Sequence, residues 1–116
     1  MAGKTSTEPL ERRKCAFCEG GTAPLTNDQA EPLLAQVSQE WKIEQSTLTR
    51  TFRFRDFAGS MAFVNQVAEI AEQEGHHPDL HISWNKVRVE LTTHAIHGLS
   101  ENDFILAAKI DQLAGD

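Results

Sequence analysis

Two kinds of periodicity predict an α+β domain with a four-stranded antiparallel sheet and three helices on one face, in the order α-β-β-α-β-β-α. Apolar and polar residues alternate over residues 48–55 and again over 87–94, as in strands with one buried face. Between them, residues 57–74 carry apolar side chains at the spacing of an amphipathic helix. Helices packed on one face of an antiparallel sheet would bury both kinds of apolar surface.

The first helix is predicted from a capping box, Thr26-x-x-Gln29. Pro32 lacks an N–H and crowds the preceding turn, so the helix is expected either to begin near Glu31 or to kink. Three apolar residues then keep the helical spacing: Leu34, Val37 and Trp41.

Two strands and a long helix follow. Residues 41–44 are expected to pair with the strand 48–55 across a short turn. Asp56 then caps the helix over 57–74, because its carboxylate can accept hydrogen bonds from the first turn. Gly75 is expected to end that helix, since glycine adopts the left-handed conformation without steric cost.

A hairpin and a last helix complete the order. Residues 80–84 alternate as a third strand, and residues 87–94 as a fourth, with a two-residue loop at 85–86. Ser100-x-x-Asp103 is a second capping box and opens the final helix. The core-facing residues of that helix are expected to be Leu106, Ile110 and Leu113.

Length and composition limit the classes of function that the chain can have. A chain of 116 residues is expected to be one domain, with residues 1–14 a flexible polar segment and residues 15–116 the folded part. The net charge of −6 argues against a nucleic-acid partner. Because there is no run of about 20 apolar residues and no apolar secretory signal, we expect a cytoplasmic protein without a membrane partner.

All five histidines lie between His76 and His97, which concentrates the side chains that titrate near neutral pH. On the predicted fold, His76 and His77 occupy the loop after the second helix, and His94 ends the fourth strand. The hairpin runs out and back, so it returns His94 to the vicinity of His76. Pro78 restricts His77 to extended conformations and stiffens this loop. The pattern indicates a shared pocket suited to proton transfer or to metal binding.

Five residues near these histidines could have a structural role instead of a role in the site. As the fourth residue of a capping box, Asp103 either caps the last helix or orients a histidine. Trp84 is expected in the core or in a pocket wall, and Glu72 either faces solvent or reaches the site. His81 is expected on the exposed face of the sheet, and His97 in a solvated loop.

The pair Cys15-x-x-Cys18 is a weaker signal. Two thiolates supply only half of a tetrahedral zinc site, and the strand-to-helix context of a redox motif is missing. In a cytoplasmic protein both thiols are expected to stay reduced. A structural or incidental role is therefore favoured over a bound metal.

The spacing of the site residues resembles the signature of the pterin-4a-carbinolamine dehydratases: His76-His77-Pro78, Trp84, His94 and Asp103. The similarity continues outward, from about residue 15 to 113, through Cys15-x-x-Cys18-x-Gly20-Gly21, Gly98-Leu99-Ser100 and Leu106-Ala107. It implies dehydration of a 4a-hydroxytetrahydropterin to the quinonoid dihydropterin, in tetrahydropterin recycling, with no cofactor and no metal. It also implies a homodimer or a homotetramer.

By the same resemblance, His76 and His94 match the two positions that act in general acid/base catalysis, without deciding which is the acid, and His77 matches the residue that mainly holds the substrate. The other substrate-binding positions that it implies are Pro78, Thr93, Ala95 and Ile96. The chemistry suits imidazoles, because the leaving hydroxyl needs a proton donor and the neighbouring ring nitrogen needs a proton acceptor.

Two other functions are weighed against this enzyme. A metal protein ligated by His76, His77 and His94 has enough ligands, although adjacent histidines rarely both reach one metal from a loop. The other is a non-enzymatic dimerisation or assembly module of the same fold, since the family that the chain resembles includes such proteins. Retention of all three histidines favours catalysis.

Overall fold

The sheet contains four antiparallel strands in the order β1-β2-β4-β3. The computed structural model describes residues 8–16 and 22–115. The strands are β1 (Lys42–Glu44), β2 (Thr47–Arg53), β3 (Asp79–Ser83) and β4 (Lys86–Leu91). In the register, Leu48 lies opposite Leu91 and Leu80 lies opposite Val89, so the apolar residues of three strands share one face.

Three helices cover that face: α1 (Asn27–Leu34), α2 (Phe57–Glu74) and α3 (Glu101–Leu113). Short 3₁₀ helices occur at Leu10–Arg12 and His94–Ile96. The buried core joins α2 and α3 to the sheet through Val67, Phe104, Leu106, Val87 and Val89. The predicted α+β class and the order of its elements are confirmed.

The predicted helix ends are confirmed at several positions. The Asp56 carboxylate accepts a hydrogen bond from the backbone N–H of Gly59 at 2.8 Å. Both capping boxes form, at Thr26 and at Ser100. Pro32 lies inside α1, so the expected start near Glu31 is wrong. The helix stops at Leu34, two residues after the proline.

Three strand ends differ from the sequence pattern, and the first is that of β2, which ends at Arg53 and not at residue 55. The β3–β4 loop is Trp84-Asn85 and not residues 85–86, because Trp84 adopts a φ of 51° and turns the chain. Its side chain is 67% exposed, so the expected place in the core or a pocket wall is wrong. Strand β4 ends at Leu91 and not at His94, which begins a 3₁₀ turn.

The N-terminal residues also differ from expectation. A flexible segment was expected through Lys14, but Leu10 is only 1% exposed and belongs to the core. The Lys109 ammonium donates a hydrogen bond to the carbonyl of Glu11 at 2.9 Å, which ties this segment to α3. Residues 1–7 lie outside the described part of the chain. In the part that is described, no helix is long and apolar enough to cross a membrane.

A buried carboxylate on α3 joins the sheet to the chain before β1. Asp111 accepts hydrogen bonds from the Trp41 indole N–H at 2.7 Å, from the Arg50 guanidinium at 2.6 Å and from the backbone N–H of Ser38 at 2.9 Å. The side chains of Arg50 and Asp111 are both about nine-tenths buried. Because the pair is buried and well bonded, losing one partner is expected to be costly.

Asp111→Ala is therefore expected to lower the free energy of unfolding by about 3–5 kcal/mol, since the buried Arg50 charge loses this carboxylate. Urea unfolding followed by circular dichroism measures the change. Glu44→Gln is the control, because Glu44 pairs with Arg88 on the exposed face of the sheet and should matter little. Equal stabilities of Asp111→Ala and Glu44→Gln would contradict this assignment.

Candidate active site

A pocket of about 280 Å³ lies between the loop after α2, the loop after β4 and the start of α3. Its lining residues are Ala16, Gly75, His76, His77, Thr92, Thr93, His94, Ala95 and Asn102. All three histidines expected to carry chemistry are among them. The volume lies just below the usual range of about 300–1,000 Å³, so the pocket suits a small ligand.

The first wall is set by the end of α2. Gly75 adopts a left-handed conformation with a φ of 66°, and its N–H bonds to the carbonyl of Ala71. The N–H of His76 bonds to the same carbonyl at 3.2 Å. This is the hydrogen-bonded end that a glycine stop produces, and it fixes the backbone of His76 at the pocket.

His76 is the more enclosed of the site histidines, with 11% of its side chain exposed. Its Nε2 lies 2.6 Å from Oδ1 of Asp103, whose side chain is fully buried. An ionised carboxylate only accepts hydrogen bonds, so we assign the proton of this contact to Nε2. In the neutral ring Nδ1 is then the unprotonated nitrogen, which is the form that a general base needs.

Asp103 also binds the opposite wall. Its Oδ2 accepts hydrogen bonds from the Thr93 hydroxyl and from the backbone N–H of Ser100, both at 2.9 Å. The second of these bonds caps α3, and the first holds the residue that precedes His94. The two roles considered for Asp103, helix cap and histidine partner, are therefore both present in the same carboxylate.

A tight loop presents His94. Thr93 and Gly98 exchange backbone hydrogen bonds of 2.9 and 3.4 Å, which closes the loop between them. Gly98 packs so closely on Pro24 that a Cβ there would lie 2.5 Å from the proline Cβ, so glycine is required. His94 is exposed at the pocket, and His97 is exposed in a left-handed conformation with a φ of 58°.

His77 also has an acidic neighbour. Its Nε2 lies 2.8 Å from Oε2 of Glu72, in the last turn of α2, and both side chains are largely exposed. Glu72 therefore reaches a site histidine while remaining in contact with solvent. A pair this exposed is worth little to stability, but it restricts the orientation of the His77 ring.

Several expected site residues lie elsewhere. Trp84 is at the far end of the β3–β4 hairpin, where its carbonyl accepts a hydrogen bond from the Ser60 hydroxyl. Ile96 is buried, and neither it nor Pro78 lines the pocket among the described residues. His81 pairs with a glutamate on the exposed sheet face, as expected.

The pocket also includes residues that sequence reasoning missed. Thr92 precedes Thr93 and Asn102 precedes Asp103, two residues predicted from the sequence to be site candidates. That adjacency is the only indication of either residue in the sequence. Ala16 lies in a polar segment without periodicity, so nothing in the sequence placed it at a pocket.

Cys15 sits beside the pocket but is poorly suited to thiolate chemistry. Its thiol donates to the carbonyl of Asn102 at 3.6 Å. Burial, together with the nearby Glu74 carboxylate, raises the pKa of the Cys15 thiol to about 12. Cys18 lies outside the described residues. Within residues 8–16 and 22–115, no three His, Cys, Asp or Glu side chains gather to hold a metal, and His76 and His77 turn toward carboxylates instead.

Glu74 anchors the segment that carries Cys15. Burial alone would raise the pKa of this carboxyl, but the backbone N–H of Cys15 at 2.8 Å and the ammonium of Lys109 at 3.5 Å more than offset burial. The pKa of Glu74 is therefore lowered from its ordinary value of 4.5. A carboxyl with a lowered pKa stabilises the fold above its unfolded-state pKa, and this contribution is lost as the pH falls through its folded-state pKa.

Glu74→Gln is accordingly expected to be less stable than the wild type at pH 7, with the difference shrinking as the pH falls through 4.5 and below. Urea unfolding at pH 7, 5 and 3.5 measures this convergence. Glu69→Gln, an exposed change on the same helix, is the control and should track the wild type at every pH. A stability gap for Glu74→Gln that stays constant with pH would contradict the role given to the ionised carboxylate.

Comparison with known proteins places the chain in a family. A family model described as pterin 4 alpha carbinolamine dehydratase matches residues 23–113. A Nitrosomonas eutropha protein, provisionally named pterin-4-alpha-carbinolamine dehydratase, is 54% identical over 104 residues, which cover 90% of this chain and 92% of the relative. A Methylococcus capsulatus protein with the same provisional name is 48% identical and covers 92% of this chain and 95% of its own length.

Two solved structures are similar as well. A transcriptional coactivator/pterin dehydratase from Brucella melitensis superimposes with a TM-score of 0.75 at 33% identity, covering 79% of this chain and 99% of that structure. A pterin dehydratase-like protein identified as a RuBisCO assembly factor in the alpha-carboxysome gives a TM-score of 0.56 at 27% identity, covering 66% of this chain and 88% of that structure.

Proposed function

Because the chain belongs to the pterin-4-alpha-carbinolamine dehydratase family, we propose that it removes water from a 4a-hydroxytetrahydropterin to form the quinonoid dihydropterin. The observation that carries this proposal is the convergence of His76, His77 and His94 on one pocket, with His76 against the buried Asp103.

The reaction needs two proton transfers and no change of oxidation state. The lone pair of N5 forms a double bond to C4a while the bond from C4a to the hydroxyl oxygen breaks. The departing oxygen takes a proton and leaves as water, and the proton on N5 goes to a base. Two imidazoles in opposite protonation states supply both steps, each contributing about 10²–10⁴-fold.

We assign the base to His76 and the acid to His94. The bond between Nε2 of His76 and Asp103 supports the first role, because a buried carboxylate stabilises the imidazolium that forms when Nδ1 takes a proton. His94 is exposed at the pocket, where water can return a proton to it after each cycle. Its position on the opposite loop suits a group that acts on a different atom of the same ring.

His77 is assigned to holding the substrate. Its ring is oriented by Glu72 through the 2.8 Å contact, and it follows His76 directly along the pocket wall. Thr93 and Ala95 line the same pocket and complete the binding surface. A pocket of about 280 Å³ favours a compact bicyclic ring over a large cofactor.

The proposed setting is tetrahydropterin recycling in the cytoplasm by a homodimer or homotetramer. Among the residues that the structure describes, strands β1 and β3 are the two edges of the sheet, with no further strand beside them. Natural proteins cover or pair such edges, which supports self-association. Sedimentation velocity of the purified chain would give its oligomeric state.

A second candidate is a non-enzymatic assembly module. The similarity to the alpha-carboxysome assembly factor favours it, at a TM-score of 0.56. The TM-score of 0.75 with the Brucella melitensis coactivator/pterin dehydratase and the complete set of histidines favour the enzyme. Measured turnover separates the two functions.

The test uses the purified protein and a freshly generated 4a-hydroxytetrahydropterin, with appearance of the quinonoid dihydropterin followed by absorbance. Turnover above the uncatalysed rate, unchanged after exhaustive chelation, is expected because proton donors and acceptors suffice. Turnover that is lost with a chelator and restored by zinc would favour metal assistance instead. Absence of turnover would favour the assembly module.

His76→Ala and His94→Ala are each expected to lower kcat by about 10²-fold or more, the scale of a lost acid or base. The double variant should lose less than the product of the two, because groups that serve one proton-transfer sequence are not additive. His81→Ala, on the exposed sheet face, is the matched control and should retain wild-type kcat. Near-wild-type turnover in His94→Ala, with an unchanged circular dichroism spectrum, would refute the shared site.

A further inference from the structure

One wall of the candidate site comes from outside the part of the chain that the family model matches. Ala16 lines the pocket, while the match begins at residue 23. Residues 8–16, here called the N-terminal strap, therefore bring a surface to the site that lies outside the matched family model, although the alignment with the Nitrosomonas eutropha relative reaches this part of the chain. The strap lies across the start of α3, the helix that also carries Asp103.

The far end of the strap is fixed by burial and charge. Leu10 is 1% exposed and packs into the hydrophobic core. Arg13 forms an ion pair of 2.5 Å with Glu101 in the first turn of α3. The Lys109 ammonium holds the Glu11 carbonyl from two turns further along the helix. These contacts make the strap a packed part of the domain.

At the pocket, the amide side chain of Asn102 bonds to both backbone polar groups of one strap residue, Ala16. The backbone N–H of Ala16 donates to Oδ1 of Asn102 at 2.9 Å, and Nδ2 of Asn102 donates to the Ala16 carbonyl at 2.5 Å. Asn102 is 6% exposed, so these bonds replace water around a buried amide. With its backbone groups bonded to Asn102, Ala16 is held in the lining of the pocket.

Asn102 and Asp103 are adjacent residues that hold different parts of the site. Asp103 bonds to the catalytic candidate His76, whereas Asn102 bonds to the strap. The first turn of α3 thus sets the position of a proton-transfer group and of the wall beside it. A change at Asn102 should move the wall and leave the bond between His76 and Asp103 in place.

We propose that the N-terminal strap is a binding wall of the pterin site and that Asn102 is the positioning residue that holds it. The Ala16 methyl group packs against the flat ring and excludes water from it. Asn102 therefore sets how tightly the pterin is held and takes no part in proton transfer. This inference rests on the proposed function for the identity of the ligand.

The experiment compares Asn102→Ala with the wild type in two measurements. One is the Kd for 7,8-dihydrobiopterin, a stable pterin probe, followed by its fluorescence. The other is KM and kcat with the freshly generated carbinolamine. Loss of the strap bonds should raise Kd and KM by about 5–10-fold and leave kcat within about 2-fold, on the scale of one or two hydrogen bonds. Asn65→Ala, an exposed amide on α2, is the matched control and should change neither.

Ala16→Gly provides a second variant that keeps the Asn102 bonds and the fold. It should weaken 7,8-dihydrobiopterin binding by a smaller factor, and the double variant should show less than the sum of the two free-energy changes, since both act on one wall. Additive effects would place Asn102 in direct contact with the pterin and overturn the positioning role.

The remaining outcomes separate this inference from the proposed function. Unchanged Kd and KM in both variants, beside normal wild-type turnover, would overturn the wall and leave the dehydratase standing. A fall in kcat at constant KM in Asn102→Ala would also overturn it, because Asn102 would then act in the transition state. If the wild type binds the pterin but shows no turnover, and both variants bind it more weakly, the wall would be supported and the dehydratase refuted. A wild type that binds no pterin would overturn both.

Discussion

The buried carboxylate of Asp103 is the interaction on which the rest of the site depends. It lies at the start of α3 and receives hydrogen bonds from three directions: from His76 after α2, from Thr93 after β4 and from the backbone of Ser100. A charge with no exposure is tolerated in a protein only when it is bonded in this way. Meeting that requirement draws two loops, far apart in sequence, onto one helix end. The pocket is the space left between them.

Much of the fold was predictable because local rules decide it. The boundaries of α2 follow from the carboxylate of Asp56 and from Gly75, and both positions are confirmed. The sequence pattern failed where tertiary contacts override periodicity. Thr93 continues the alternation of β4, yet the chain leaves the ladder at Leu91, since Thr93 bonds to Asp103 and Gly98 instead.

The site was predictable in part. The predicted hairpin correctly brought His76 and His94 to one pocket, because two antiparallel strands return the chain to the end of the sheet where the first strand began. The roles of these histidines in proton transfer stay predictions. Trp84 could not be placed, since its alternation with Ile82 suits a strand as well as a turn. Ala16 could not be found at all, because the bonds that hold it join residues 86 positions apart.

The nitrogen chemical shifts of the His76 imidazole test most directly whether Asp103 prepares this ring as a base. Long-range ¹⁵N–¹H correlation spectra of the wild type give the tautomer of each neutral histidine, and the His76 signals are those missing in His76→Gln. With Nε2–H donated to Asp103, the neutral ring should be almost wholly the Nε2–H tautomer, with Nδ1 unprotonated. A ring in the Nδ1–H form, or an evenly averaged mixture, would contradict the assignment of His76 as the base held by Asp103.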